Sequence, residues 1–222
     1  MLAQRNTLTA RPARATSQRA RVVARATPNK SLPKEFPRWP EMWQYLKDKQ
    51  VPSISAEEAQ ARIASGEWVL VDCRLTEQHQ KGTPQGALSA PLYETIGFNN
   101  VDTRRVFKAL FYMANGVSPV DPNPLFLDQI EEIAKGKGVI TMCEAGGTLK
   151  PSVNFPCGKP SRSLQAAYLA LSGGALDKVA HLDRGVFGWF KAGLPIQGEY
   201  KPEIGRTPMA ADEPVVPAGA RK

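Results

Sequence analysis

The sequence predicts an α/β domain of three layers, with a central, mostly parallel sheet and helices on both of its faces. Two observations lead to this prediction. Short apolar runs such as 68–73 and 138–143 are typical of parallel strands buried on both faces. Segments with helical periodicity separate these runs, and strands that alternate with helices favour a parallel sheet.

Local signals place the elements in order along the chain. A Pro-rich stretch at 27–40 precedes a short helix near 41–49. Ser55 and Glu58 form the sequence pattern of a capping box, so a helix begins there, and Gly66 ends it. The later predicted elements are strands at 68–73 and 86–91, helices at 102–115 and 124–135, a strand at 138–143, a helix at 161–171, a strand at 178–182 and a helix at 186–191.

The first 26 residues differ in composition from the rest of the chain. They hold six arginines, no Asp and no Glu, and they are rich in Ala, Ser and Thr. This composition is typical of an organellar transit peptide, for the chloroplast or alternatively the mitochondrion. We therefore expect a transit peptide at 1–26, a linker and short helix at 27–52, one folded domain at 53–197 and a mobile tail at 198–222.

Charge and composition exclude several classes of function. The net charge of +8 belongs mostly to the leader, because 23 basic and 21 acidic residues remain without it. No basic stripe indicates a nucleic-acid partner, and no apolar run approaches the roughly 20 residues of a transmembrane segment. The three cysteines form no CxxC motif and the two histidines are isolated, so we expect neither a disulfide framework nor a metal site.

Three segments resemble the rhodanese family. Residues 69–74 resemble its strand ending in Asp-x-Arg, 77–87 resemble its next turn, and 181–195 resemble its closing Trp and Gly-Leu-Pro motif. Thr83 stands where the family usually has histidine. Two further stretches, at 95–135 and 146–151, resemble the plastid single-domain rhodanese-like proteins of plants and green algae. The resemblance implies a rhodanese-like fold over 53–197 and a chloroplast location, in the stroma or at the thylakoid.

The resemblance also implies a reaction and its residues. In the family, a cysteine that ends a central strand takes sulfur from a small sulfur donor as a persulfide and passes it to a thiol or cyanide-like acceptor, without metal or cofactor. Cys143 ends the strand at 138–143 and is the expected nucleophile. The expected substrate-binding loop and helix residues are Glu144, Ala145, Gly146, Gly147, Thr148, Arg162 and Ser163.

The family's usual loop, Cys-x-x-Gly-x-[Arg/Thr]-Ser, is divided in this chain. Gly146 follows Cys143 at the expected spacing, whereas Arg162 and Ser163 stand five and six residues after Cys157. An insertion of about 14 residues explains the split. Four interpretations stay open. Cys143 acts alone, Cys157 resolves an oxidised or persulfidated Cys143, Cys157 acts in place of Cys143, or neither cysteine reacts.

Several other residues have competing interpretations. Cys73 is expected to be a buried, inert thiol. Arg162 is either a binding group for an anionic donor such as thiosulfate or a solvated residue. Glu144 disfavours a neighbouring thiolate, which weighs against strong thiosulfate activity. His181 is expected to be a core or edge residue rather than a base.

Two main functions are compatible with these residues. The first is a sulfurtransferase of the thiosulfate or mercaptopyruvate type. The alternative is a weak or inactive rhodanese-like module that acts in protein binding or redox sensing, with a protein partner bound through 95–135 or the 144–160 loop. A phosphatase of the same fold is disfavoured, because Cys143 lacks the Cys-x₅-Arg spacing of such enzymes.

Overall fold

The computed structural model describes residues 30–96 and 119–202, and it has the three predicted layers. The strands in these ranges are β1 (Ser53–Ile54), β2 (Trp68–Asp72), β3 (Gly82–Pro84), β4 (Leu88–Ser89), β5 (Tyr93–Thr95), β6 (Val120–Pro122), β7 (Gly138–Met142), β8 (Val179–Leu182) and β9 (Ile196–Gly198). The helices are α1 (Trp39–Asp48), α2 (Ala56–Ala64), α3 (Thr76–Lys81), α4 (Phe126–Ala134), α5 (Arg162–Ser172) and α6 (Gly185–Lys191).

The central sheet has the strand order β1-β8-β7-β2-β4, and all of its pairings are parallel. The carboxyl ends of β2, β7 and β8 therefore lie at one edge, where open parallel sheets place their sites. Two small antiparallel pairs, β3 with β9 and β5 with β6, lie outside this sheet.

Apolar side chains cover both faces of the sheet. Buried residues of α1, α4 and α5 pack against one face, together with Val71 and Val139. Buried residues of α2 and α6 pack against the other face, together with Leu70 and Ile140. The alternation of side chains along β2 and β7 thus divides the core into two halves.

The structure confirms the main strands and helices but differs in several loops. Ser55 caps α2, because its Oγ accepts the Glu58 N–H at 3.2 Å. The strand predicted at 86–91 is shorter and consists of β4 alone. The stretch 116–123, which separates the helices predicted at 102–115 and 124–135, contains β6 in its described part. The helix predicted at 102–115 lies outside the described residues.

The folded unit extends past both boundaries predicted for it. Met42 and Leu46 of α1 are buried in the core, so the short helix at 27–52 packs as part of the fold. At the other end, β9 pairs with β3 through Gly198, and the Glu199 N–H donates to the Lys81 carbonyl at 2.7 Å. Residues 1–26, where a transit peptide is expected, and residues 203–222 lie outside the described ranges. Within those ranges no helix combines the length and the apolarity needed to cross a bilayer.

Candidate functional site

Cys143 follows directly after β7, at the carboxyl edge of the sheet and near its centre. Only 4% of the residue is exposed, so large molecules have little access to its sulfur. The Cys143 carbonyl accepts the Val186 N–H at 2.9 Å, and the Glu144 carbonyl accepts the Phe187 N–H at 3.1 Å. These two bonds tie the start of the loop to the first turn of α6.

The divided loop comes together again at Cys143. Ser163 lies 20 residues later, in the first turn of α5, and its Oγ donates to the Cys143 sulfur at 3.2 Å. Ser161 caps this helix by accepting the Leu164 N–H at 3.2 Å. The sulfur therefore lies beside the amino terminus of an 11-residue helix, whose dipole favours negative charge there.

The loop after Cys143 leaves backbone donors unused. The N–H groups of Glu144, Ala145 and Gly146 have no hydrogen-bond acceptor in the part of the chain that the structure describes. Gly146 and Gly147 adopt φ of +74° and +72°, a conformation that glycine reaches without strain. Successive amides in such a turn form a concave surface that favours an anion.

Two side-chain donors hold the Gly146 carbonyl in place. Ser161 Oγ donates to it at 2.5 Å and His181 Nε2 at 2.6 Å, while Ser163 Oγ, whose single proton is directed to the Cys143 sulfur, lies 3.3 Å away. These bonds fix the peptide plane between Gly146 and Gly147, whose N–H donates to the Ala145 carbonyl at 2.9 Å. Ser161 and Ser163 thus join the amino terminus of α5 to the loop of Cys143.

His181 belongs to the core, as expected, but it also supports the loop. Because Nε2 bonds to a carbonyl, the proton is on Nε2, and Nδ1 accepts from Ser53 Oγ at 3.1 Å. Burial lowers the pKa of His181 to about 4, although the bond to Gly146 opposes this change. The ring is therefore neutral at ordinary pH and acts as a fixed donor.

The inserted segment forms a hairpin. Thr148 and Lys159 pair in an antiparallel bridge with N–H···O distances of 3.1 and 2.8 Å, and a tight turn joins Ser152 to Phe155. Val153 at its tip is 99% exposed. We call residues 148–159 the hairpin insertion.

Two tryptophans of α1 attach the hairpin insertion to the domain. Trp39 Nε1 donates to the Cys157 carbonyl at 2.9 Å, and Trp43 Nε1 donates to the Leu149 carbonyl at 2.9 Å. Leu149 is buried in the core. Cys157 is half-buried on the outer arm, and its thiol, like those of Cys73 and Cys143, is free.

A closed polar network lies beside the Cys143 loop. Arg74 is 2% exposed and forms a bidentate pair with Asp72, with Nε–Oδ1 and Nη2–Oδ2 distances of 3.0 and 2.8 Å. Its Nη1 donates to Glu144 Oε2 at 2.9 Å, and the Tyr200 hydroxyl donates to Glu144 Oε1 at 2.5 Å. The carboxylate of Glu144 is therefore paired with Arg74 rather than left facing the thiol.

Asp72 is the centre of this network. Burial alone would raise its pKa, but hydrogen bonds from His79 and Arg74, together with the Arg74 charge, lower the Asp72 pKa to about 2. Thr83 Oγ1, which stands where the family usually has histidine, donates to Asp72 Oδ2 at 3.0 Å. All these groups fix the loop after β2 against the loop after β7.

Arg162 begins α5, next to Ser163, and its guanidinium has a hydrogen-bond partner. Its Nη1 donates to Gln78 Oε1 at 3.1 Å, across from the amino-terminal half of α3. The residue is half-buried, so its guanidinium borders the site without closing it.

Comparison with known proteins identifies the fold. The family model for the rhodanese-like domain matches residues 55–192. The chain is also 34% identical over 162 residues to rhodanese-like domain-containing protein 14, chloroplastic, of Arabidopsis thaliana, covering 72% of this chain and 70% of that protein. This chain belongs to the rhodanese-like family. Its central sheet and layers are thus those of a rhodanese-like domain.

Two solved structures are similar to part of this chain at low sequence identity. A thiosulfate sulfurtransferase of Pseudomonas aeruginosa is 20% identical with a TM-score of 0.42, over 73% of this chain and 23% of that one. A rhodanese-like domain of Anabaena is 17% identical with a TM-score of 0.39, over 74% and 90%. The rhodanese-like domain described here thus spans about a quarter of the Pseudomonas enzyme.

Three features of this rhodanese-like domain have no local signal in the sequence. Tyr200 reaches Glu144 only because β9 pairs with β3. The contact of His181 with the Gly146 carbonyl joins residues 35 positions apart. The role of α1 in holding the hairpin insertion also depends on tertiary structure.

The described residues contain no group of three or more His, Cys, Asp or Glu side chains that could hold a metal ion.

Proposed function

We propose that this protein is a sulfurtransferase that carries a sulfane sulfur on Cys143. The observation that supports this most directly is the 3.2 Å hydrogen bond from Ser163 Oγ to the Cys143 sulfur. It reunites the two halves of the family's loop around Cys143 and not around Cys157. The rhodanese-like family of the chain supports the same reaction class.

Sulfur transfer requires a thiolate, because the thiolate is the nucleophile. Three groups favour an anion at Cys143: the Ser163 hydroxyl, the amino terminus of α5, and the unused N–H groups of Glu144, Ala145 and Gly146. The same donors favour the anionic outer sulfur of a persulfide. Arg74 compensates the charge of Glu144, which removes much of the objection that this carboxylate raised.

The reaction takes place in two steps that balance. The Cys143 thiolate attacks the outer sulfur of thiosulfate, forming the Cys143 persulfide anion and releasing sulfite. A nucleophilic acceptor such as cyanide then attacks the outer sulfur, leaving as thiocyanate and restoring the Cys143 thiolate. With 3-mercaptopyruvate as the donor, pyruvate leaves in place of sulfite. Arg162, at the border of the site, is the side chain we assign to attracting an anionic donor.

We further propose that the protein works in the plastid. The acid-free, Arg-rich first 26 residues and the chloroplastic Arabidopsis relative both support this location. The hairpin insertion, with its exposed tip at Val153 and Phe155, is the surface we assign to an acceptor protein.

Cyanide-dependent thiocyanate formation from thiosulfate and from 3-mercaptopyruvate tests the reaction. We expect the full chain to be active, Cys143→Ser to lose at least about a thousandfold in rate, and Cys157→Ser to keep its activity. Loss of activity in Cys157→Ser alone would overturn the assignment of Cys143. A folded but inactive wild-type chain, with both donors, would favour the protein-binding function instead.

A further inference from the structure

Cys73 and Cys143 occupy neighbouring positions at the ends of two adjacent strands. The parallel register pairs Asp72 of β2 with Met142 of β7, and each cysteine follows directly. The ladder continues to this point, because the Cys73 N–H donates to the Met142 carbonyl at 2.9 Å. Adjacent strands lie about 4.8 Å apart. This spacing falls within the Cα separation of about 4.4–6.8 Å that a disulfide spans.

The two thiols also face the same side of the sheet. Val71, Cys73 and Val139 belong to one half of the core, and Leu70 and Met142 belong to the other. Because side chains alternate along a strand, Cys143 points to the side of Val139 and therefore of Cys73. Ser163 of α5, a helix that packs on the same half of the core, bonds to the Cys143 sulfur, which agrees with this direction.

We infer that Cys73 is the resolving thiol of this site, and that it attacks the Cys143 sulfur when that sulfur carries a leaving group, closing a Cys73–Cys143 disulfide. The inference deepens the proposed function, and its persulfide step rests on it. It gives the site a second outcome besides transfer to an acceptor, which is the release of hydrogen sulfide.

The step balances without a further reactant. Cys73 Sγ forms a bond with Cys143 Sγ while the bond from Cys143 Sγ to the outer sulfur breaks. The outer sulfur leaves with the electron pair and takes the Cys73 proton, so the persulfide anion releases the hydrosulfide ion, which becomes hydrogen sulfide when water protonates it. The sulfane sulfur is reduced and the two cysteines are oxidised. An external dithiol then returns the chain to its reduced form by thiol–disulfide exchange.

Burial decides the order of these events. Cys73 is 0% exposed, so an external donor or oxidant reaches it only through Cys143. Burial raises the pKa of the Cys73 thiol, and the charges of Asp72 and Cys143 raise it further. Cys73 therefore stays protonated and does not compete as the first nucleophile. The register of the sheet holds it across from Cys143, and this proximity compensates for its weak nucleophilicity.

Cys157 is the competing resolving thiol and is less well placed. It lies on the outer arm of the hairpin insertion, where its backbone is bound to Trp39. The register of the sheet, in contrast, places Cys73 directly across from Cys143.

Dithiodipyridine, a small neutral disulfide, tests the pair without using sulfur-transfer activity. We would compare two full-length chains, Cys157→Ser and the double variant Cys73→Ala, Cys157→Ser. In the first we expect two thiopyridone equivalents, the second released at a rate independent of reagent concentration. Mass spectrometry should then show a chain lighter by two hydrogen atoms, with peptides of Cys73 and Cys143 linked. The double variant should release one equivalent and keep a stable adduct on Cys143.

Each contrary result has a definite meaning. A stable single adduct on Cys157→Ser would overturn the inference, as would a second release that scales with reagent concentration. No reaction of Cys157→Ser would overturn it as well, because Cys143 would then be inaccessible to the reagent. Should the double variant not fold, the linked peptides from Cys157→Ser alone decide the question.

A second measurement separates this inference from the proposed function. After loading with thiosulfate and no acceptor, Cys157→Ser should release hydrogen sulfide, and the double variant should retain its sulfur on Cys143. Disulfide closure with dithiodipyridine but no loading by thiosulfate would leave the resolving pair standing and reject the sulfurtransferase. Loading of Cys143 by thiosulfate without disulfide closure would support the sulfurtransferase and reject Cys73 as the resolving thiol.

Discussion

The two central strands, β2 and β7, end side by side but with opposite chemistry. After β2, Asp72 and Arg74 are buried and bind each other, so every charge is compensated. After β7, Cys143 is followed by a glycine turn whose amides have no acceptor among the described residues. The contrast shows that a loop whose charged groups are all paired, which we call the closed side, can hold in place a loop with unused amide donors, which we call the open side. Glu144 joins the two, since it belongs to the second loop but is bound by Arg74 of the first.

Removal of the guanidinium from the closed side should have the largest effect. In Arg74→Met, Asp72 and Glu144 lose their cation, and Asp72 becomes an uncompensated buried charge. We expect the free energy of unfolding to fall by about 3–5 kcal/mol, as measured by urea denaturation. Glu58→Gln, which breaks the exposed pair with Arg62, should change it by less than about 1 kcal/mol. Equal losses in the two variants would mean that the network does not stabilise the fold.

The pH dependence of stability should separate the two loops. His181 has a pKa of about 4 when folded and 6.5 when unfolded, so below pH 6.5 the unfolded chain binds a proton that the folded chain refuses. Stability is therefore complete above pH 6.5, and about 3 kcal/mol is lost as the pH falls to 4. The pKa of Asp72, about 2 against 3.8, adds a further loss only below pH 4.

Unfolding by urea at several pH values measures these windows. His181→Gln, which can still donate to the Gly146 carbonyl, should remove the slope between pH 6.5 and 4 and keep the slope below pH 4. An unchanged slope between pH 6.5 and 4 in this variant would assign that window to another group.

The smallest effect should come from the hydroxyl on the open side. Ser163→Ala removes the donor 3.2 Å from the Cys143 sulfur but leaves the fold and the helix cap intact. A hydrogen bond to a charged group contributes about 1.5–3 kcal/mol, so alkylation of Cys143 by iodoacetamide near neutral pH should slow by about tenfold to a hundredfold. Ser172→Ala, at the far end of α5, is the matched control. Equal alkylation rates in the two variants would remove Ser163 from the proposed site.

Local patterns were sufficient for the parts of the fold built from continuous segments. The apolar runs of β2 and β7 and the cap at Ser55 depend only on near neighbours in sequence, and the structure confirms them. The pairing of β3 with β9 joins segments more than 100 residues apart and has no local pattern. For the same reason the predictions did not include strands β1, β3, β5, β6 and β9 or the contact of Tyr200 with Glu144.

The candidate site divides in the same way. The strand-terminal position of Cys143 follows from the apolar run before it, and an insertion between Cys143 and Ser163 follows from the split motif. That Ser163 returns to the sulfur could be inferred only through the resemblance, because 20 residues separate them. The burial of Cys73 follows from the apolar run that it ends, and the structure confirms it, whereas its position across from Cys143 depends on the register of the sheet.

The hairpin insertion has its entrance and exit side by side, at Thr148 and Lys159. A segment joined in this way is modular: its length and tip can vary while the geometry on either side of the junction is conserved. Evolution, or a protein engineer, can therefore exchange the residues around Val153 as a cassette, with Cys143 and Ser163 held in the same relation. A replacement segment has to keep three features. These are the buried side chain of Leu149 and the two carbonyl groups that accept hydrogen bonds from Trp39 and Trp43.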